Sequence, residues 1–285
     1  MRRNLATWLR SIGFAPPEVF RARRAAKLLK ELESGPAAGD RFLGPQRKAS
    51  DRQLAPLAPA IRAVMGIGPG GIRIIPSTQR LPSEDDPSRT MWPEGEATAG
   101  AELLYLLRRA YPDKEVHVTG LTDLDDSPGW QQCNLVFLGG PRASELVRTV
   151  WGNLGQPYLV EHRRLLAADG RLLHTYQRGP SAVSDAAVMV RGDSPFSPGR
   201  VLVVFMGLET HGTCAAAACL ASQDWLRLTA PRARRLRSLK TAWAVSCGIN
   251  DPWPAEGHFL APIEELRGGA DGAYTAPGEP TPELP

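Results

Sequence analysis

Asn134-Leu-Val-Phe-Leu-Gly139-Gly140-Pro141 and Val201-Leu-Val-Val-Phe-Met-Gly207-Leu-Glu-Thr-His-Gly212-Thr213 share one design. In each, an apolar run with no polar alternation leads into a glycine turn. A helix-forming stretch follows, Ser144 to Trp151 in the first case and the small-residue run Cys214 to Leu220 in the second. Continuous β-branched and aromatic runs mark strands buried on both faces, the habit of parallel sheets. Glycine lets the backbone reverse sharply and leaves donors at the next helix start facing outward. Two such strands in one sheet would open both turns on the same carboxyl edge, where open α/β sheets bind ligands.

The flanking sequence extends this pattern in both directions. Ile72 to Ile75 reads as a short buried strand, and a polar loop from Ser83 to Pro93 follows. Glu94 to Ala110 carries apolar residues at helical spacing. Glu115 to Thr119 is a second strand, leading to Asp123, Asp125 and Asp126. Tyr158–Glu161 and Arg171–Tyr176 flank Ala168-Asp169-Gly170, a hairpin signal. Ala186–Val190 and Ala242–Cys247 complete the strands. This order predicts an α/β, three-layer, Rossmann-like fold with a mainly parallel sheet and an inserted β-hairpin. The expected organisation is a basic helical arm (1–34), a linker (35–65), the ligand-binding domain (66–266) and an acidic, disordered tail (267–285).

Composition narrows the function classes. The 285 residues are 42% hydrophobic and 22% charged, ordinary for a soluble globular chain. No apolar run reaches the roughly 18 residues of a membrane span, and no apolar segment follows Met1-Arg2-Arg3 as in a secretory signal. Cys133, Cys214, Cys219 and Cys247 lack the regular spacing of a disulfide framework, so the expected compartment is the cytoplasm. The net charge of +4 is uneven: residues 1–50 hold 11 Arg or Lys against 4 Asp or Glu, a net +7, leaving −3 for the remainder. Such an arm suits a nucleic acid, an anionic surface or an acidic protein, or simply solvates a helix face.

The turn from Gly207 to Thr213 has the outer spacing of a phosphate loop without its lysine, which disfavours nucleoside triphosphate hydrolysis. What remains is an anion-accepting turn in which Gly207, Gly212 and Thr213 supply contacts, or a tight strand-to-helix connection. Gly139, Gly140 and Arg142 form the matching candidate after the other strand, and Asp123 could grip a ribose hydroxyl. Glu209 and His211 are the acid/base pair of this turn, catalytic only if the protein is an enzyme. No metal site is expected, because His211, Cys214 and Cys219 lack the paired spacing that zinc requires.

Residues 134–220 resemble a Rossmann-like domain of archaeal surface-layer-like proteins and bacterial regulatory or effector-associated proteins. The resemblance rests on Gly139-Gly140-Pro141, on Ser194-Pro195-Phe196-Ser197-Pro198-Gly199 and on the Gly207–Thr213 turn, and covers about a third of the chain. Ser194 and Ser144 stand where those proteins carry asparagine. The pattern is also similar, more loosely, to lonely-guy phosphoribohydrolases, through Gly212-Thr213. Ala216 or Ala217 occupies the place of their helical glutamate. The first resemblance implies the fold and ligand sensing in a bacterial signalling or defence system.

The leading expectation is a non-catalytic or weakly catalytic module that binds a nucleotide-like, phosphate-bearing small molecule at the carboxyl edge. A nucleotide is the one cofactor this suggests; an effector protein or a second copy of the chain are candidate partners. The alternative is an N-glycosidase or nucleotide hydrolase using Glu209 and His211. A third is a nucleic-acid-associated regulator acting through basic residues 2–30 and 232–240.

Overall fold

A computed structural model describes residues 55–77, 79–80, 90–91, 94–121, 124, 127–142, 145–248 and 254–266. The basic arm, most of the expected linker, the acidic tail, Asp123, Asp125, Asp126 and Ser144 lie outside the described residues.

The chain enters through helix α1 (Ala58–Met65), whose Ile61, Val64 and Met65 are buried. These residues belong to the stretch assigned to the linker, yet they are part of the core. Strand β1 (Ile72–Pro76) follows, then a two-residue ladder, β2 (Gln79–Arg80) against β3 (Thr90–Met91). Helix α2 (Glu94–Ala110) leads to β4 (Val116–Val118), then β5 (Asn134–Leu138) and helix α3 (Glu145–Asn153). A small separate sheet comprises β6 (Tyr158–Glu161), β7 (Arg164–Ala167) and β8 (Leu172–Thr175). After β9 (Gln177–Arg178) come β10 (Ala182–Asp193), β11 (Val201–Gly207), α4 (Thr210–Ala218), α5 (Gln223–Ala233), β12 (Leu239–Gly248) and β13 (Pro254–Glu264).

The large sheet has the order β13-β12-β10-β11-β5-β1-β4, with β9 beside β10. The strands β4, β1, β5 and β11 run parallel. From β10 onward the pairing is antiparallel. The parallel expectation thus holds for the part that carries both glycine turns, and a meander of long strands extends it. On β5 and β11 alternate residues serve opposite faces. Val136, Leu138, Val203 and Phe205 pack with α1, α2, α4 and α5. Leu135, Phe137, Leu202 and Val204 pack with α3 and the small sheet. Both faces of these strands are buried, which is why they read as uninterrupted apolar runs.

The expected hairpin is a three-stranded meander. Tyr158–Glu161 pairs with Arg164–Ala167, which in turn pairs with Leu172–Thr175. The extra reversal falls at His162 and Arg163, with φ of 42° and 64°. Two successive positive φ values make the tight primed turn that right-twisted strands favour. Without a glycine there, nothing local marks it.

Two buried polar side chains connect distant segments. The Asn134 amide donates to the carbonyls of Gly68, Pro69 and Gly71, and its oxygen accepts from the Gly68 and Val201 N–H groups. It ties the loop that enters β1 to the first residue of β11. The Arg191 guanidinium, on the last part of β10, donates to the carbonyls of Ala63, Val64, Ala233 and Leu236.

Candidate functional site

The two glycine turns lie side by side. Leu138 is in register with Phe205, and the Gly139 N–H donates to the Phe205 carbonyl at 2.9 Å. They share the carboxyl edge of the parallel strands but have different surroundings.

The turn after β11 is occupied from within. Asp185, a fully buried carboxylate on β10, accepts from the N–H groups of Ala186, Glu209 and Gly212, the last at 2.7 Å. It thereby supplies the negative charge that the start of α4 attracts. Burial raises the Asp185 pKa to about 6 against these three hydrogen bonds, which oppose the rise. The Thr213 hydroxyl accepts from the Gly207 N–H at 2.9 Å. A Cβ on Gly212 would run into the Ala186 carbonyl, and one on Gly207 would meet the backbone at 209–213. Gly207, Gly212 and Thr213 therefore close a tight strand-to-helix turn against β10. The Gly212 N–H donates to Asp185 and the Thr213 hydroxyl accepts from Gly207, so both have partners within the protein.

Glu209 reaches the small sheet. Its carboxylate pairs with the Arg163 Nε at 2.7 Å, across the strand ends on the small sheet, where that guanidinium lies 5.3 Å from the Tyr176 ring centre. His211 is half-buried in the first turn of α4. Arg142 is exposed just beyond the Gly139-Gly140 turn.

The edge between β1 and β5 is built differently. The connection after β1 crosses one face through α2 and returns in β4, on the outer side of β1. The connection after β5 crosses the other face through α3, and the next parallel strand, β11, lies on the opposite side. The two chains leave adjacent strand ends in opposite directions, which defines a topological switch point. Outside such a point a crevice opens, and open α/β sheets place their ligands there.

Three groups meet at that point. Ser77 follows β1, Gly139 follows β5, and Glu96 projects from the first turn of α2. The Ser77 hydroxyl donates to the Glu96 carboxyl, and both residues are buried. Gly139 has φ of 98°, and a Cβ there would lie 2.6 Å from the Glu96 Oε1. Glycine is required twice over, for the left-handed backbone and for the approach of the carboxyl group. Burial raises the Glu96 pKa to about 8, with the Ser77 hydrogen bond opposing the rise. At neutral pH Glu96 is thus largely a neutral acid, able to donate one hydrogen bond as well as accept. The first turns of α2 and α4 meet beside it: the Cys214 thiol donates to the Gly95 carbonyl at 3.1 Å, and a Cβ on Gly95 would collide with Thr210.

Gly139 and Gly140, expected from the sequence, lie at this point. Ser77 and Glu96 were missed, and the polar run Glu94-Gly95-Glu96 carries no local mark of a buried carboxyl group. Among the described residues no cluster of three His, Cys, Asp or Glu side chains is placed to hold a metal. No helix among them is long and apolar enough to cross a membrane. No family model matches the chain, and neither a curated protein nor a solved structure shows significant similarity to it.

Proposed function

We propose that the Rossmann-like domain is a binding module for a nucleotide-like, phosphate-bearing ligand, seated outside the carboxyl ends of β1 and β5. One observation carries this reading: Ser77, Glu96 and Gly139 converge where the crossovers diverge. The Glu96 acid would donate to, or accept from, the sugar or phosphate. Gly139 and Gly140 would allow backbone approach, and Arg142 would supply the positive charge. The setting suggested by the sequence resemblance is a bacterial signalling or defence system, with the ligand as its signal.

The arrangement favours binding over N-glycoside hydrolysis by Glu209 and His211. The Glu209 carboxylate is engaged by Arg163, and its own N–H is directed at Asp185.

Thermal-shift and calorimetric titration of the full chain with mono- and dinucleotides, with inorganic phosphate as reference, tests the reading. At least one nucleotide is expected to raise the melting temperature, with chromatography finding no released base. Glu96→Ala and Arg142→Ala should each weaken that nucleotide by about tenfold or more, the loss of one good polar contact. A chain that no nucleotide stabilises, or whose affinity ignores both substitutions, contradicts the proposal.

A further inference from the structure

The opposite rim of the sheet, at the amino ends of the parallel strands, carries a basic surface that the ligand reading does not use. Helices α1 and α5 both end there. The Arg191 guanidinium donates to Ala63 and Val64 on one helix, to Ala233 at the end of the other and to Leu236 just past it, drawing the two ends together. The exposed face of α5 and the turn after it present Arg232, Arg234 and Arg235. Arg62 is exposed in the last turn of α1, on the other side of the same clasp.

Neighbouring charges are neutralised, and these are not. Arg237 pairs with Asp193 at 3.0 Å, and Arg227 lies 3.7 Å from Asp224. Arg232, Arg234 and Arg235 have no acidic partner among the described residues. No Asp or Glu occurs between Asp224 and Glu256 apart from Asp251. The preceding 54 residues lead into this unit just ahead of α1, and 1–50 carry a net +7, from 11 basic and 4 acidic residues. Helix α1 has 8 residues and so is about 12 Å long.

We infer that this rim is a docking surface for the phosphate backbone of a nucleic acid. The charge is mostly arginine, whose planar fork matches phosphate oxygens in pairs. The rim offers no exposed apolar belt of the kind a membrane-lying helix needs: Leu228 is the single large apolar side chain exposed on α5. Phosphate contacts of this type would position the chain on a duplex without reading its sequence. The domain would then bind its small ligand at one edge and a polyanion at the other.

The test is fluorescence anisotropy of a labelled duplex of about 30 base pairs with the full chain, over roughly 50–200 mM salt. Binding is expected to weaken steeply with salt. Arg232→Gln, Arg234→Gln and Arg235→Gln together should reduce the slope of log K against log salt by about 2–3. They should also lower affinity at the lowest salt by at least about tenfold. Lysine at the same three positions should keep the slope, and Arg171→Gln, at an exposed turn of the small sheet, should leave duplex binding unchanged. Unaltered melting temperatures would show that all three variants fold. No duplex binding by the parent chain, or a triple glutamine variant with the parent's slope, overturns the inference. So does binding to vesicles containing anionic phospholipid when duplex is ignored.

Discussion

Arg191→Leu is expected to lower the unfolding free energy by about 3–5 kcal/mol, the range for breaking a buried charged network. The side chain is 2% exposed and has no carboxylate partner among the described residues. Its charge is balanced by four carbonyl oxygens at the ends of two helices, where the helix dipole is negative. Burial lowers its pKa to about 10, so it still carries its proton at neutral pH. Leucine has similar bulk but leaves those carbonyls buried without donors, at about 1–3 kcal/mol each before the structure relaxes. Arg191→Lys is expected to restore part of the loss only, since a single ammonium cannot fork between two helix ends. Urea unfolding followed by circular dichroism reads both variants. A loss below about 1 kcal/mol for the leucine variant, within the range of surface changes, would mean that the helix ends are held by packing alone.

Glu96→Gln is expected to change how stability depends on pH. The native-state pKa of about 8 exceeds the ordinary 4.5, so over that interval the folded chain holds a proton the unfolded chain has released. Stability contributed by this group therefore falls as pH rises from about 4.5 to 8 and is flat beyond. Full development of the shift corresponds to roughly 4–5 kcal/mol. Asp185 has the same sign, but its fall is complete near its native pKa of about 6. His174, whose pKa burial lowers, acts in the opposite direction below its ordinary 6.5. Between about pH 6.5 and 8 the slope belongs mainly to Glu96, and glutamine should abolish about 2 kcal/mol of decline there. Parallel stability profiles for the two proteins across that window would show that Glu96 is ionised in the native state.

Strands were legible where burial on both faces left an unbroken apolar run, as at Leu135–Leu138 and Leu202–Met206. Helix α2 was legible from its period. Strand direction was not, because an antiparallel β10 and a parallel β11 are both apolar stretches. Their pairing is set by the short turn at Asp193–Arg200, which joins them as a hairpin. Strand β13 was missed because Pro254, Gly257 and Pro262 dilute its pattern. Edge position tolerates them, since a proline there removes no inner-ladder donor.

At the site, the glycine turns stood out locally and their partners did not. Gly212 looked like an anion-binding residue, yet its N–H answers Asp185, 27 residues earlier. Glu96 looked like one charge in a helix start, and only the fold brings Ser77 and Gly139 against it. Arg191 reaches carbonyls 127 and 128 residues away in the chain. A buried polar side chain is chosen by what surrounds it in space, and a single sequence shows only what precedes and follows it.

Hydrogen–deuterium exchange of the full chain, with and without the nucleotide that gives the largest thermal shift, locates the ligand most directly. Slower exchange is expected at 72–77, 94–100 and 134–142, the segments meeting at the carboxyl ends of β1 and β5, with 207–213 little changed. Protection confined to 207–213 or to the small sheet at 158–175, with the crevice segments unaffected, would contradict the account.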